Sequence, residues 1–229
     1  MNGRHLASRA RRRAAAAALS LAVPLAALSL HARAGILRDV MSNFGIVKPE
    51  APKPGSPGSQ TLPRQGFACC VLHYKHDTIN DGNYAELPLI PAGTPIEVIN
   101  YGSNRAYIKI EGKPMLLKHD YGRDQETLDA WVNKIVVSAD PRPHIAGYPK
   151  PVQEAIREGK VMVGMTREQA ITAIGYPLSS ENITLDAPMW RIWRSSSGEY
   201  DLHFGSDGRV KTVSGDDSVT SQVVYQPGR

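Results

Sequence analysis

Beyond Leu30 this chain has no apolar run approaching the roughly 18 residues a bilayer-crossing helix needs. Cysteine is scarce: Cys69 and Cys70 are the only two in 229 residues, and neither follows the N-terminal apolar stretch, where a lipid would be attached. The chain contains no G-x-S-x-G elbow and no glycine-rich phosphate loop, and "GRDQ" and "GSDG" have the composition of turns. Its serines cluster in "RSSSGE" and "SDG", also turn contexts, which leaves nucleophilic catalysis without a frame. Acids are missing from the first 34 residues, which hold Arg4, Arg9, Arg11, Arg12, Arg13 and Arg33. Removing those six from the 27 basic side chains leaves 21 against 22 acidic ones, so a formal net charge of +5 becomes −1. No basic stripe remains to neutralise phosphates, which argues against a nucleic-acid partner.

That N-terminal segment reads as an export signal. "MNGRHLASRARRR" is a positive region, "AAAAALSLAVPLAALSL" is an apolar core of 17 residues broken by Pro24, and "ARA" at Ala32 to Ala34 is a small-x-small cleavage site. Residues 1–34 are therefore expected to be a signal peptide and Gly35 to begin the mature chain. An uncleaved membrane anchor is the other reading. The expected location is the periplasm or the periplasmic face of an outer membrane. Residues 35–66 follow as a tether. Within them "VKPEAPKPGSPGSQTLPRQG" has five prolines and three glycines, and in polyproline II it spans roughly 60 Å.

Residues 67–140 are expected to form a small β-rich domain closed by a helix. "FACCVLHY", "LPLIPAGTPIEVINYG" and "RAYIKIEGKPMLLKHDYG" carry β-branched and aromatic residues, with hairpin signals at Tyr101 to Asn104 and Glu111 to Lys113. Leu128, Trp131, Val132 and Ile135 have helical spacing. The entry "IPAGTPIEV" resembles bacterial SH3-like modules. "PRPHIAGYPKP" places a linker at 141–150, and 151–215 is expected to be a second α+β domain. In it "PVQEAIREG" and "TREQAITAIG" are short helices, the second opened by a Thr166/Gln169 capping box and stopped by Gly175 and Pro177. Three runs with tight turns follow, "MWRIWRS", "EYDLHFGS" and "RVKTVSG", predicting an antiparallel meander covered on one face by the helices. The tail, 216–229, is expected to add an edge strand or stay loose.

The series Gly159, Gly164, Met165, Thr166, Gln169, Gly175, Pro177, Trp190, Phe204 and Gly208 resembles the SmpA/OmlA (BamE-like) family of outer-membrane assembly factors, over about residues 149–214. The resemblance implies a non-catalytic module of two helices on three strands that grips protein partners, β-barrel assembly components among them, and sits near lipid. It implies no cofactor and no metal.

Four residues carry the chemical alternative, a thiol- or metal-dependent protein. Cys69, Cys70, His73 and His76 are ligand types for zinc or copper. On a strand, however, Cys69 and His73 face one way and Cys70 and His76 the other, and the spacing is not that of a zinc site. The cysteines are otherwise a vicinal disulfide, a link to a partner chain, or one core and one surface residue. Asp201 and His203 share a strand face as a catalytic dyad or as the solvated side of that strand, and His119-Asp120 presents the same choice. An inhibitor of a periplasmic enzyme is a further reading of so compact a module. The predicted partner surface is Arg191, Trp193 and Tyr200, with Tyr107 in the first domain, since tryptophan, tyrosine and arginine are enriched at binding hot spots. The competing reading makes both Trp190 and Trp193 structural.

Overall fold

The computed structural model describes residues 62–228, so the expected signal peptide and residues 35–61 of the expected tether lie outside the described residues. The fold is mixed α+β, with five helices, an eight-stranded curled sheet and a three-stranded antiparallel sheet among the described residues. The described residues fall within one compact unit. None of the described helices is long and apolar enough to cross a membrane.

The large sheet contains β1 (Arg64–Ala68), β2 (Leu72–Lys75), β3 (Thr78–Asn80), β4 (Leu89–Ile90), β5 (Pro95–Tyr101), β6 (Arg105–Ile110), β7 (Lys113–Lys118) and β8 (Val136–Val137), in the order β4-β2-β3-β7-β6-β5-β1-β8. Only the β3–β7 pairing is parallel. Strict alternation builds it: in β6, Ala106, Ile108 and Ile110 are buried while Tyr107 and Lys109 face out. The β6–β7 turn is Glu111-Gly112, both at positive φ (51° and 77°), the geometry that lets a two-residue hairpin follow the strand twist. Helix α1 (Leu128–Ile135) is capped by Thr127, whose hydroxyl accepts from the Ala130 N–H at 3.2 Å. It buries Trp131, Val132 and Ile135 in the first core, beside β6 and β8. Arg64 to Gly66 thus belong to strand β1, where the sequence predicts the end of the tether.

A second core collects α3 (Lys150–Arg157), α4 (Arg167–Ile174), α5 (Asp217–Val223) and the inner face of the meander β9 (Met189–Ser195), β10 (Gly198–Phe204) and β11 (Val210–Gly215). Trp190, Ile192, Tyr200, Leu202, Phe204 and Val210 point into it. Burying a side chain of this size contributes about 1.5–3 kcal/mol. Both bonds of the capping box form: the Gln169 N–H donates to Thr166 Oγ1 at 3.2 Å, and the Thr166 N–H donates to Gln169 Oε1 at 3.0 Å. Gly159 (φ 66°) ends α3 while the Lys160 N–H reaches back to the Ala155 carbonyl at 2.9 Å, a Schellman closure.

Two expected features differ here. The tail is helix α5, because Asp216 caps it and Val219 and Val223, four apart, drop into the second core. The expected linker 141–150 carries α2 (Arg142–Ala146), whose prolines sit at the helix start, where no intrahelical N–H is lost.

One segment binds the two cores. Val71 packs into the second core while Cys70 and Leu72 pack into the first. The Val71 N–H donates to the Thr172 carbonyl at 3.0 Å. The Asn83 amide donates to the Val71 and Ile174 carbonyls at 3.2 and 2.9 Å, and its oxygen accepts from the His73 N–H at 2.7 Å. Gly175 lies against this knot at φ 82°, ψ 176°, a glycine-only region and not the left-handed helical one that its position predicts. A Cβ there would collide with the Asn83 side chain.

Candidate functional site

The meander turns a polar face away from its helices. Alternation along β9 and β10 puts Arg191, Trp193, Glu199, Asp201 and His203 on that side. Register sets Trp193 opposite Glu199 and Arg191 opposite Asp201. The Arg191 guanidinium donates through Nε to Asp201 Oδ1 at 3.1 Å. That hydrogen bond first, then the charges of Asp201 and Glu199, pushes the guanidinium pKa up, so this cation is fixed at every working pH. Trp193 is half-buried, and its indole N–H is enclosed without an acceptor among the described residues. A groove of about 530 Å³ opens beside it, bounded by the β9–β10 turn, the end of β11 and the start of α5.

The free edge of β9 is blunted beside this face. Asn182, 9% exposed, accepts from the Arg191 N–H at 2.8 Å and donates to the Arg191 carbonyl at 2.9 Å and the Leu178 carbonyl at 3.0 Å. One side chain thus imitates a neighbouring strand, a device against edge-to-edge pairing. The loop that delivers it exposes Ile183 almost completely, at 94%.

The residues expected at this surface separate. Arg191 and Trp193 lie on the outer face. Tyr200 does not: paired with Ile192 and in phase with Leu202 and Phe204, it faces the core at 1% exposure, and burial drives its hydroxyl pKa far up. It is removed from the partner surface. Tyr107 is 46% exposed but stands on the large sheet, between Asn100 and Leu116 on the neighbouring strands. Trp190 is fully buried, its ring edge-on to Phe204 at 4.5 Å, with the Arg167 guanidinium 4.2 Å over the Phe204 ring.

The cysteine–histidine set does not converge. Cys69 and Cys70 are joined in a vicinal disulfide, in a bend between β1 and β2 and not within a strand, with Cys70 buried and Cys69 half-buried. His73 is 4% exposed and donates through Nδ1 to the Leu87 carbonyl at 2.8 Å. Desolvation, partly opposed by that bond, lowers its pKa and keeps it neutral. His76 is an exposed turn residue at φ 59°. Among the described residues no group of three or more His, Cys, Asp or Glu side chains is arranged to hold a metal. Asp201 and His203, read as a dyad or as the solvated side of the strand, do not pair: Asp201 meets Arg191, and His203 Nε2 meets Ser214 Oγ at 2.7 Å.

Sequence reasoning missed a buried pair. His119, 1% exposed, meets Asp81 Oδ2 through Nδ1 at 2.8 Å and the Glu126 carbonyl through Nε2 at 3.0 Å, and its ring stacks on Trp131 at 5.1 Å. Both ring nitrogens face acceptor oxygens. The 38-residue separation of the partners hid it; the adjacent Asp120 instead meets Lys118 at 2.9 Å. A second groove, about 400 Å³, runs past Lys75, Lys118, Tyr84 and Tyr121, whose hydroxyls lie 3.3 Å apart. Desolvation first, then Tyr121, pushes the Tyr84 pKa up to about 12.

No protein-family model, curated protein or solved structure matches this chain.

Proposed function

We propose that this is an exported, non-catalytic protein that holds protein partners at the cell envelope, and that the outer face of the meander is where it holds them. The observation that carries the reading is Trp193: a half-buried indole with an unused N–H, set beside the Arg191–Asp201 pair on the solvent side of a sheet whose other side is core. Aromatic and arginine side chains in such a setting are the usual anchors of binding energy. The finer architecture proposed with it is an SmpA/OmlA-like module of two helices on three strands, following an SH3-like β-rich unit, with work in outer-membrane assembly or maintenance. What supports this is the Gly159–Pro177 series, in which Thr166 and Gln169 form the capping box and Gly159 and Gly175 take positive φ. The Gly164 N–H and Met165 carbonyl also hydrogen-bond Val210 of the meander at 2.8 Å each, tying the start of α4 to β11.

The test is crosslinking in the native envelope with a tagged full-length chain, followed by mass spectrometry. The reading predicts specific crosslinked proteins, β-barrel assembly components among them, that disappear with Arg191→Ala and Trp193→Ala. Crosslinks indifferent to both changes would remove the meander face as the partner surface.

A further inference from the structure

The charge of the groove beside Trp193 bears on the chemistry of the partner. Its walls include Trp193, Ser197, Glu199, Asp201, Ser214 and Asp216, and no lysine, arginine or histidine is among its lining residues. Asp201 is neutralised by Arg191. Glu199 is exposed, directly across from Trp193, and forms no ion pair among the described residues. Asp216 caps α5, accepting from the Ser218 N–H at 2.7 Å and from its hydroxyl at 2.5 Å. Those two bonds hold the Asp216 carboxyl below its ordinary pKa, so its charge persists. The second groove is mixed, with Lys75 and Lys118 beside Asp77 and Asp120.

Resting on the reading of this face as a partner surface, we infer that the groove accepts an extended basic segment of a protein partner. The backbone of that segment runs along the groove beside Trp193. Its arginine or lysine side chain lies over the indole face, where cation–π attraction acts, with its charge between Glu199 and Asp216. The two carboxylates without an ion pair among the described residues then meet a cation that carries only donors. An acidic segment or an anionic lipid surface would meet the same carboxylates as repulsion, which selects against both.

The experiment is an NMR titration of the ¹⁵N-labelled full-length chain with a blocked pentapeptide alternating glycine and arginine, and with its glutamate counterpart. Trp131 and Trp190 are buried at 5% and 0% exposure, so the Trp193 indole resonance reports on the groove. The inference predicts a saturable shift of that resonance with the arginine peptide and none with the glutamate peptide. Binding should weaken roughly tenfold when Glu199→Gln and Asp216→Asn are combined, as two partly screened charges are lost. Asparagine still caps a helix, so the second change keeps α5. It should weaken again at about 0.5 M salt. An unmoved indole resonance, or affinity unchanged in the double variant, overturns the basic-segment inference. If that happens while Trp193→Ala still abolishes the envelope crosslinks, the surface stands and its partner is not basic. If the crosslinks also persist, both readings fall.

Discussion

Asp81→Ala is the sharpest perturbation of the architecture. The Asp81 carboxylate, 6% exposed, accepts from His119 Nδ1 at 2.8 Å, the Gly122 N–H at 2.9 Å and the Tyr121 N–H at 3.0 Å. It therefore anchors the chain between β7 and α1, and through the His119–Trp131 stack it fixes α1 on the first core. Truncation leaves an imidazole and two backbone donors buried without acceptors. Each orphaned donor costs about 1–3 kcal/mol, and three lose their acceptor together. Water reaching the emptied space offsets part of this, so we set the loss at about 4 kcal/mol, a large part of the 5–15 kcal/mol available to a typical domain. The assay is urea unfolding followed by tryptophan fluorescence. With a slope of about 2 kcal/mol/M the midpoint should fall by about 2 M at unchanged slope, and the melting temperature by about 8–16 °C. His119→Ala should cost a similar amount, and the double variant much less than the sum, giving a coupling of at least about 1 kcal/mol. A loss under about 1 kcal/mol for Asp81→Ala, or additive single losses, would refute the reasoning.

Three further outcomes follow from the packing. Asn182→Ala removes two hydrogen bonds at the β9 edge and one to Leu178 and should cost about 2 kcal/mol, while concentration-dependent association in light scattering should rise as the edge is uncovered. Gly175→Ala should cost about 3 kcal/mol in urea unfolding, since φ 82° with ψ 176° is closed to alanine and its Cβ would strike Asn83. His73 has a folded-state pKa below its ordinary 6.5, so the stability from its neutral form is complete above that value and is lost as pH falls towards the folded pKa. The urea midpoint should therefore drop between about pH 7 and pH 5, and His73→Gln should abolish much of that drop; an identical pH dependence in the variant would contradict the assignment.

The legible parts of this fold are those whose signals are local. The spacing of Leu128, Trp131, Val132 and Ile135, the Thr166/Gln169 box and the Glu111-Gly112 turn each specify their element within a few residues. Helix α5 was hidden because "DSVTSQVV" is rich in β-branched residues of poor helix propensity. The buried Val219 and Val223 and the Asp216 cap prevail over that local preference. The position of Tyr200 was readable, since it alternates in phase with Leu202 and Phe204, but its residue type suits a binding surface as well as a core. In the outer face, Arg191 and Trp193 were visible from strand alternation alone. What surrounds them was not: Asn182 reaches β9 from a loop, and Asp216 reaches the groove from beyond β11, both by tertiary contact. The His119–Asp81 pair and the Asn83 knot are likewise products of the assembled chain. At Cys69-Cys70 the alternation argument failed because the backbone bends where a strand was expected.

The central claim is that the outer face of the meander meets the partner. The measurement that tests it most directly places a photo-crosslinking amino acid in turn at Glu199, Ser197 and Tyr107 of the full-length chain, with irradiation in the native envelope. The account predicts a discrete crosslinked protein from Glu199 and Ser197 and none from Tyr107, which stands exposed on the other sheet. The same protein crosslinked from Tyr107, with silence at Glu199 and Ser197, would contradict it.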